Sequence, residues 1–290
     1  MLPRISCTQG HTKIKYILNH PFVAFAFTFF VCAASVWFGN AALSKYRTKD
    51  SETASDLGII QTATLTLLGL IIGFTFSMAI DRHDQREILE ESEANAIGTE
   101  YLRSDLLPAQ TASAVKVLLN SYLDQRILFY SKQDQETVKE ITRQTRELQN
   151  ALWNEILPAA RTQPNVMTAL VVSGMNDVLN SQGYTQAAWW NRIPFTAWGL
   201  MGAIALCSNL LVGFGARNFS NNIALFMIFP FVIAVSFFLI ADIDSPRGGI
   251  IKIEPRNLIH LKNSLNQSKV LQHLKSVSYT HLTLPTNREV

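Results

Sequence analysis

Charge is what this chain has least of. Only 16% of its 290 residues are Asp, Glu, Lys or Arg, where soluble domains carry about 25%. The shortfall sits in four runs with no charged residue: Pro21–Leu43, Leu57–Ile80, Ile193–Ala216 and Ile223–Ala241. A helix needs roughly 20 apolar residues to cross a ~30 Å hydrocarbon core, and each run is about that long. A core helix of a soluble domain would keep a polar face, so composition excludes a wholly soluble protein. Cysteine is nearly missing too. Cys7, Cys32 and Cys207 are the only three and form no C-x-x-C pair, which excludes a disulfide framework and a cysteine metal site. No P-loop, G-x-G-x-x-G, H-E-x-x-H or G-x-S-x-G motif occurs. No catalytic residue, cofactor or resident metal follows from the pattern, and the chain reads as something other than an enzyme. The small net charge of +3 is dispersed, which argues against nucleic acid as a partner.

What is present is an all-α membrane protein with four transmembrane helices, a lipid bilayer as its first partner, and a helical bundle inserted between the second and third spans. A signal peptide is a poor reading of the first run. The run exceeds a usual signal core, and Trp37–Phe38 stand where small residues would mark cleavage. With four spans, both termini and the insert share one side. Near the spans that side carries Arg4, Lys13, Lys15, Arg82, Arg86, Arg192, Arg247, Lys252 and Arg256. The other side carries Lys45, Arg47, Lys49 and Arg217. The positive-inside rule therefore places the termini and insert in the cytoplasm. Trp37, Trp189 and Trp190 sit at span ends as interfacial aromatics.

The expected organisation is a tail over 1–20, a membrane hairpin over 21–80, the insert over 81–192, a second hairpin over 193–241 and a tail over 242–277. Asp81–Leu107 is rich in Glu, Ala, Arg and Leu and continues the second span as one helix as far as Pro108. Further helices are predicted over Thr111–Tyr130, Asp134–Leu157 and about Asn165–Gln186, with Pro158 and Pro164 bracketing a break. Gly248–Ile259 reads as extended, and Asn257–Ser276 as a short amphipathic helix. Ser278–Val290 (SYTHLTLPTNREV) resembles translated sequencing-adapter read-through and carries no functional weight.

The second span differs from the other three. Gln61, Thr62, Thr64, Thr66, Thr75 and Ser77 interrupt its apolar run, and polar side chains at membrane depth face protein or water rather than lipid. One stripe at four-residue spacing reads Thr62, Thr66, Leu70, Phe74 and Met78. Hydroxyls above a bulky apolar collar suit an anion path with a constriction that gates by dewetting. Gly69 and Gly73 form a G-x-x-x-G pair for close helix packing, and packing is the commoner use of such residues. Both readings stay open and can coexist in an oligomer. Glu93–Arg103 (EANAIGTEYLR) reads as an intersubunit contact or, more commonly, a helix surface laced with ion pairs. His83 beside Asp81, Asp84 and Glu87 reads as a solvated polar face rather than a metal site. Asp242 and Asp244 in DIDSPRGG (Asp242–Gly249) are the weak calcium candidates; a turn with Arg247 pairing an aspartate is the simpler reading.

GLIIGFTFSMAIDRHDQR (Gly69–Arg86), then EANAIGTEYLR, Leu106–Leu107–Pro108 and DIDSPRGG together resemble the bacterial bestrophin-like membrane proteins, long catalogued only as a domain of unknown function. The resemblance covers roughly residues 20–265. True bestrophins are pentameric anion channels with four spans, cytosolic termini and a helical region between spans two and three. Gly73–Phe74 and Arg82 match the spacing of their second-span motif, which implies neck positions at Thr66, Leu70 and Phe74. The resemblance thus implies a homo-oligomer, a pentamer, that conducts chloride or another anion. This chain departs from the pattern in having one aromatic neck position, no neck proline, and a calcium clasp reduced to Asp242 and Asp244. The competing reading is a non-conducting membrane scaffold or sensor whose cytosolic bundle binds a partner.

Overall fold

A computed structural model describes residues 20–42, 51–216 and 222–281, with side chains described over 20–42, 55–216 and 222–268. The described residues hold eight α-helices, one 3-10 turn and no strand. In chain order the helices are α1 (Pro21–Ala41), α2 (Ser51–Arg103), α3 (Ala109–Ser131), α4 (Gln135–Thr162), α5 (Val166–Trp190), α6 (Phe195–Gly215), α7 (Ile223–Asp244) and α8 (Arg256–His281). Four stretches are long and apolar enough to cross a membrane: Pro21–Ala41, part of Ser55–Leu106, part of Val166–Gly215, and Ile223–Asp244. The tail segment from residue 282 lies outside the described residues, as do Cys7 and the basic residues at 4, 13, 15, 45, 47, 49 and 217.

The chain divides into two compact units, Met1–Gln85 with Ala188–Ile253, and Arg86–Ala187 with Glu254–Val290. The first contains the four apolar runs. In hydrocarbon every backbone N–H and C=O must find an internal partner, which makes helices of uncharged runs. Pro21 and Pro194 mark two of the starts, where a missing N–H costs nothing. Helix α1 packs on both α6 and α7. Cys32 of α1, Leu68 and Ala79 of α2, Met201 and Ala205 of α6, and Ile233, Phe237 and Ile240 of α7 share one buried core.

The α1–α6 crossing is close because glycine allows it. A β-carbon on Gly39 would strike the Leu210 carbonyl, and one on Gly213 would strike the Val36 carbonyl. The Ser35 hydroxyl donates to Leu206 O at 2.9 Å, and Asn40 Nδ2 donates to Ala216 O at 3.0 Å.

In the second unit, α2 runs on through good helix formers and ends in the 3-10 turn Ser104–Leu106. Leu107, forced into an extended conformation before Pro108, stops it. Helix α3 buries Val115, Leu119, Tyr122, Leu123, Arg126 and Phe129, one face at three- and four-residue spacing. The Asp134 carboxylate caps α4 by accepting from Thr137 N at 2.8 Å. Two expectations need correction. Helix α4 passes through Pro158 to Thr162 instead of breaking there. Pro158 lies on the exposed face, and the Thr162 hydroxyl and Gln163 N close the following turn on Pro158 O (2.8 Å) and Ala159 O (3.0 Å). The tail turns and bends over 246–251, is irregular to Pro255, and becomes helical at Arg256, where the Glu90 carboxylate accepts from Leu258 N (3.0 Å) and Asn257 Nδ2 (2.7 Å) and starts α8.

Candidate functional site

Helix α2 uses one side for the core and leaves the other bare. Leu68, Thr75 and Ala79 are buried, with Ile71, Ile72 and Phe76 packed around them. At about 100° per residue, the opposite side carries Thr62, Thr66, Leu70, Phe74 and Met78, all exposed. Phe74 is 66% exposed and Leu70 is 52% exposed. Gly69 and Gly73 border this stripe, and no described residue lies within 4 Å of a β-carbon built on either. The close glycine crossing inside the chain is Gly39 with Gly213, which sequence reasoning missed because the two are far apart in the chain.

The hydroxyls are spent locally. Thr62, Thr64, Thr66 and Thr75 donate to the carbonyls of Gly58, Ile60, Thr62 and Ile71 at 2.7–2.9 Å. That arrangement turns the oxygen lone pairs outward and keeps the protons for the helix backbone. The face still differs in chemistry from the exposed faces of α1 and α7. Every exposed residue of α1 and α7 is apolar, as lipid demands, whereas the exposed side of α2 mixes Thr62, Thr66, Gly69, Gly73 and Ser77 with Leu70 and Phe74.

The two calcium candidates are already committed. Asp242 accepts from Ile250 N at 2.7 Å and Ile251 N at 3.0 Å, and folds the following loop back onto the end of α7. Gly249 lets that loop approach, since a β-carbon there would collide with the Asp242 carboxylate. Asp244 accepts from Ile193 N at 3.1 Å, and its other oxygen lies 3.6 Å from Arg192 Nε. A calcium site asks for six to eight converging oxygens; these two carboxylates instead hold backbone amides and an arginine, and do not fit the ion. Arg247 stacks over Trp189 at 4.2 Å. His83 Nδ1 lies 3.7 Å from Asp84 Oδ1, and Asp81, Asp84 and Glu87 are exposed.

The Glu93–Arg103 segment is no surface of ion pairs. Glu93 is buried and pairs with buried Arg126 of α3 through Nε, with a second contact from Nη2 at 3.2 Å. The Tyr130 and Thr185 hydroxyls each donate to Glu93 Oε2 at 3.2 Å. Burial works against the Arg126 charge, but the adjacent Glu93 carboxylate more than offsets it and holds the guanidinium protonated. Burial, then the Glu93 charge, pushes the Tyr130 hydroxyl upward. The spacing of Glu93, Ile97 and Tyr101 carried the signal, because all three share the buried face. Glu100 is also fully buried, with neither oxygen hydrogen-bonded to any described residue. Burial, opposed by Arg103 and reinforced by Asp177, raises its carboxyl to about 8.

A family model described as the Bestrophin-like domain matches residues 26–258. Solved structures share the fold at distant identity. A point-mutated bacterial bestrophin homolog from Klebsiella pneumoniae is 14% identical, with TM-score 0.55 over 82% of this chain and 98% of that one. A bestrophin homolog structure from the same organism, phased on zinc, is 12% identical, with TM-score 0.56 over 83% of this chain and 98% of that one. No curated protein matches. With four membrane-crossing helices and a family match across most of its length, this integral membrane protein belongs to the Bestrophin-like family.

Proposed function

We propose that the chain assembles as a homo-oligomer, a pentamer, around an anion-permeable path bounded by the bare face of α2. Thr66, Leu70 and Phe74 form its constriction, and Thr62 lies one turn further out. The termini and the segment between the second and third apolar runs face the bacterial cytoplasm. One observation carries this reading. The face of α2 opposite the core is exposed and combines hydroxyls and glycines along its length with a bulky collar. Lipid does not select such a mixture, whereas a ring of subunits gives it water on one side and glycine-mediated contact beside it. Since the threonine protons are bonded within the helix, selectivity rests on the collar's dewetting and the field of the ring.

Chloride efflux from proteoliposomes tests the proposal. The protein should release chloride faster than empty vesicles, and Phe74→Ala should change the rate or the anion preference. No efflux from folded oligomers of either protein, with or without calcium, overturns the channel and leaves a non-conducting membrane scaffold.

A further inference from the structure

Inside the second unit, α2 and α5 border a polar cleft of about 430 Å³ that opens to the surface, lined by Asn95, Thr99, Arg103, Gly174, Asp177 and Asn180 among others. Neither Arg103 nor Asp177 makes a hydrogen bond or ion pair with any described residue, and both line the cleft. Gly174 makes the cleft possible. A β-carbon there would collide with the Glu100 carboxyl and with Arg103 Nη1, so the guanidinium lies against the α5 backbone at 174. Asp177 follows one turn along α5, where β-carbons are about 5–6 Å apart.

We propose that this cleft binds a small zwitterion, an amino acid with a polar, uncharged side chain. Arg103 takes its carboxylate in the paired N–H geometry that guanidinium offers. Asp177 takes its ammonium, and the amides of Asn95 and Asn180 with the Thr99 hydroxyl take the side chain. Glu100, beside Arg103 at Gly174, does not neutralise it. Fully buried and hydrogen-bonded to no described residue, its carboxyl keeps its proton at neutral pH, which leaves the full guanidinium charge for the ligand. A simple anion would meet Asp177 and a simple cation would meet Arg103, so the pair selects a molecule carrying both charges.

Titration calorimetry on the detergent-solubilised protein tests this, with L-asparagine as probe and L-leucine, acetate and methylammonium as contrasts. L-asparagine should bind saturably, and each contrast should bind at least about tenfold more weakly, the equivalent of ~1.4 kcal/mol. Arg103→Gln and Asp177→Asn should each weaken L-asparagine by a similar factor. Asp177 is exposed, so its variant folds even if Arg103→Gln does not. Acetate binding as well as L-asparagine, or no saturable binding of L-asparagine, overturns the proposal. So does a smaller assembly in Asp177→Asn, which would make the cleft a contact between copies of the chain.

Discussion

Arg126 is 1% exposed and its partner Glu93 is 0% exposed, so each charge depends on the other and on the Tyr130 and Thr185 hydroxyls. Removing one member strands the other in a medium that solvates it poorly. Arg126→Met should therefore cost about 3–5 kcal/mol, seen as a large drop in the melting temperature of the purified protein. Replacing both residues by Met should recover most of the loss, because no charge is then left buried. If single and double variants melt alike, the hydroxyls rather than the pair hold this core.

Glu100 sets a pH dependence of opposite character. Its ordinary value is 4.5, and the folded carboxyl keeps its proton to about 8. Between those values the unfolded chain has released a proton that the folded chain retains, so stability falls as pH rises through that window. Its contribution is intact below 4.5 and the loss is complete above about 8. Melting curves from pH 5 to 8 should show the decline, and Glu100→Gln should flatten it and melt higher near pH 8. An unchanged slope in that variant would assign the dependence to another group, Glu90 first, whose carboxyl burial also raises.

At the scale of helices, local chemistry is readable and long-range pairing is not. The four apolar runs announce themselves because hydrocarbon tolerates neither charge nor unpaired backbone. The spacing of Ile141, Thr145, Leu152 and Ile156 marks the buried side of α4, and all four are buried. Pro158 was misleading because a proline on an exposed face costs a helix one bond, and neighbouring groups close the next turn. Gly39 with Gly213, and Glu93 with Arg126, pair across stretches over which local periodicity carries no information. Likewise DIDSPRGG shows its aspartates, but only the fold shows that they hold the amides of Ile193, Ile250 and Ile251.

The same contrast separates two kinds of glycine. Gly213→Leu should force α1 and α6 apart, at a cost of about 1–3 kcal/mol or more, and lower the melting temperature in detergent. A β-carbon at Gly69 meets no described residue, so Gly69→Leu should leave the melting temperature of dissociated subunits unchanged while disturbing assembly. Equal destabilisation by both would mean that Gly69 packs within the subunit.

For the whole molecule, family membership and four membrane-crossing helices fix what kind of protein this is, and the unanswered chemistry lies on the bare face of α2. A stripe of Thr62, Thr66, Leu70 and Phe74 is visible in sequence as spacing alone. The structure adds that this stripe lies opposite the core and is covered by no described part of the chain. The most direct test of the proposed path is the reaction of a membrane-impermeant thiol reagent in vesicles, in a background without Cys7, Cys32 and Cys207. Thr66→Cys and Leu70→Cys should react readily, while Ile228→Cys, on the wholly apolar exposed face of α7, should not. If the cysteines at 66 and 70 are as inert as the one at 228, the face of α2 meets lipid or protein instead of water, and the proposed path does not exist.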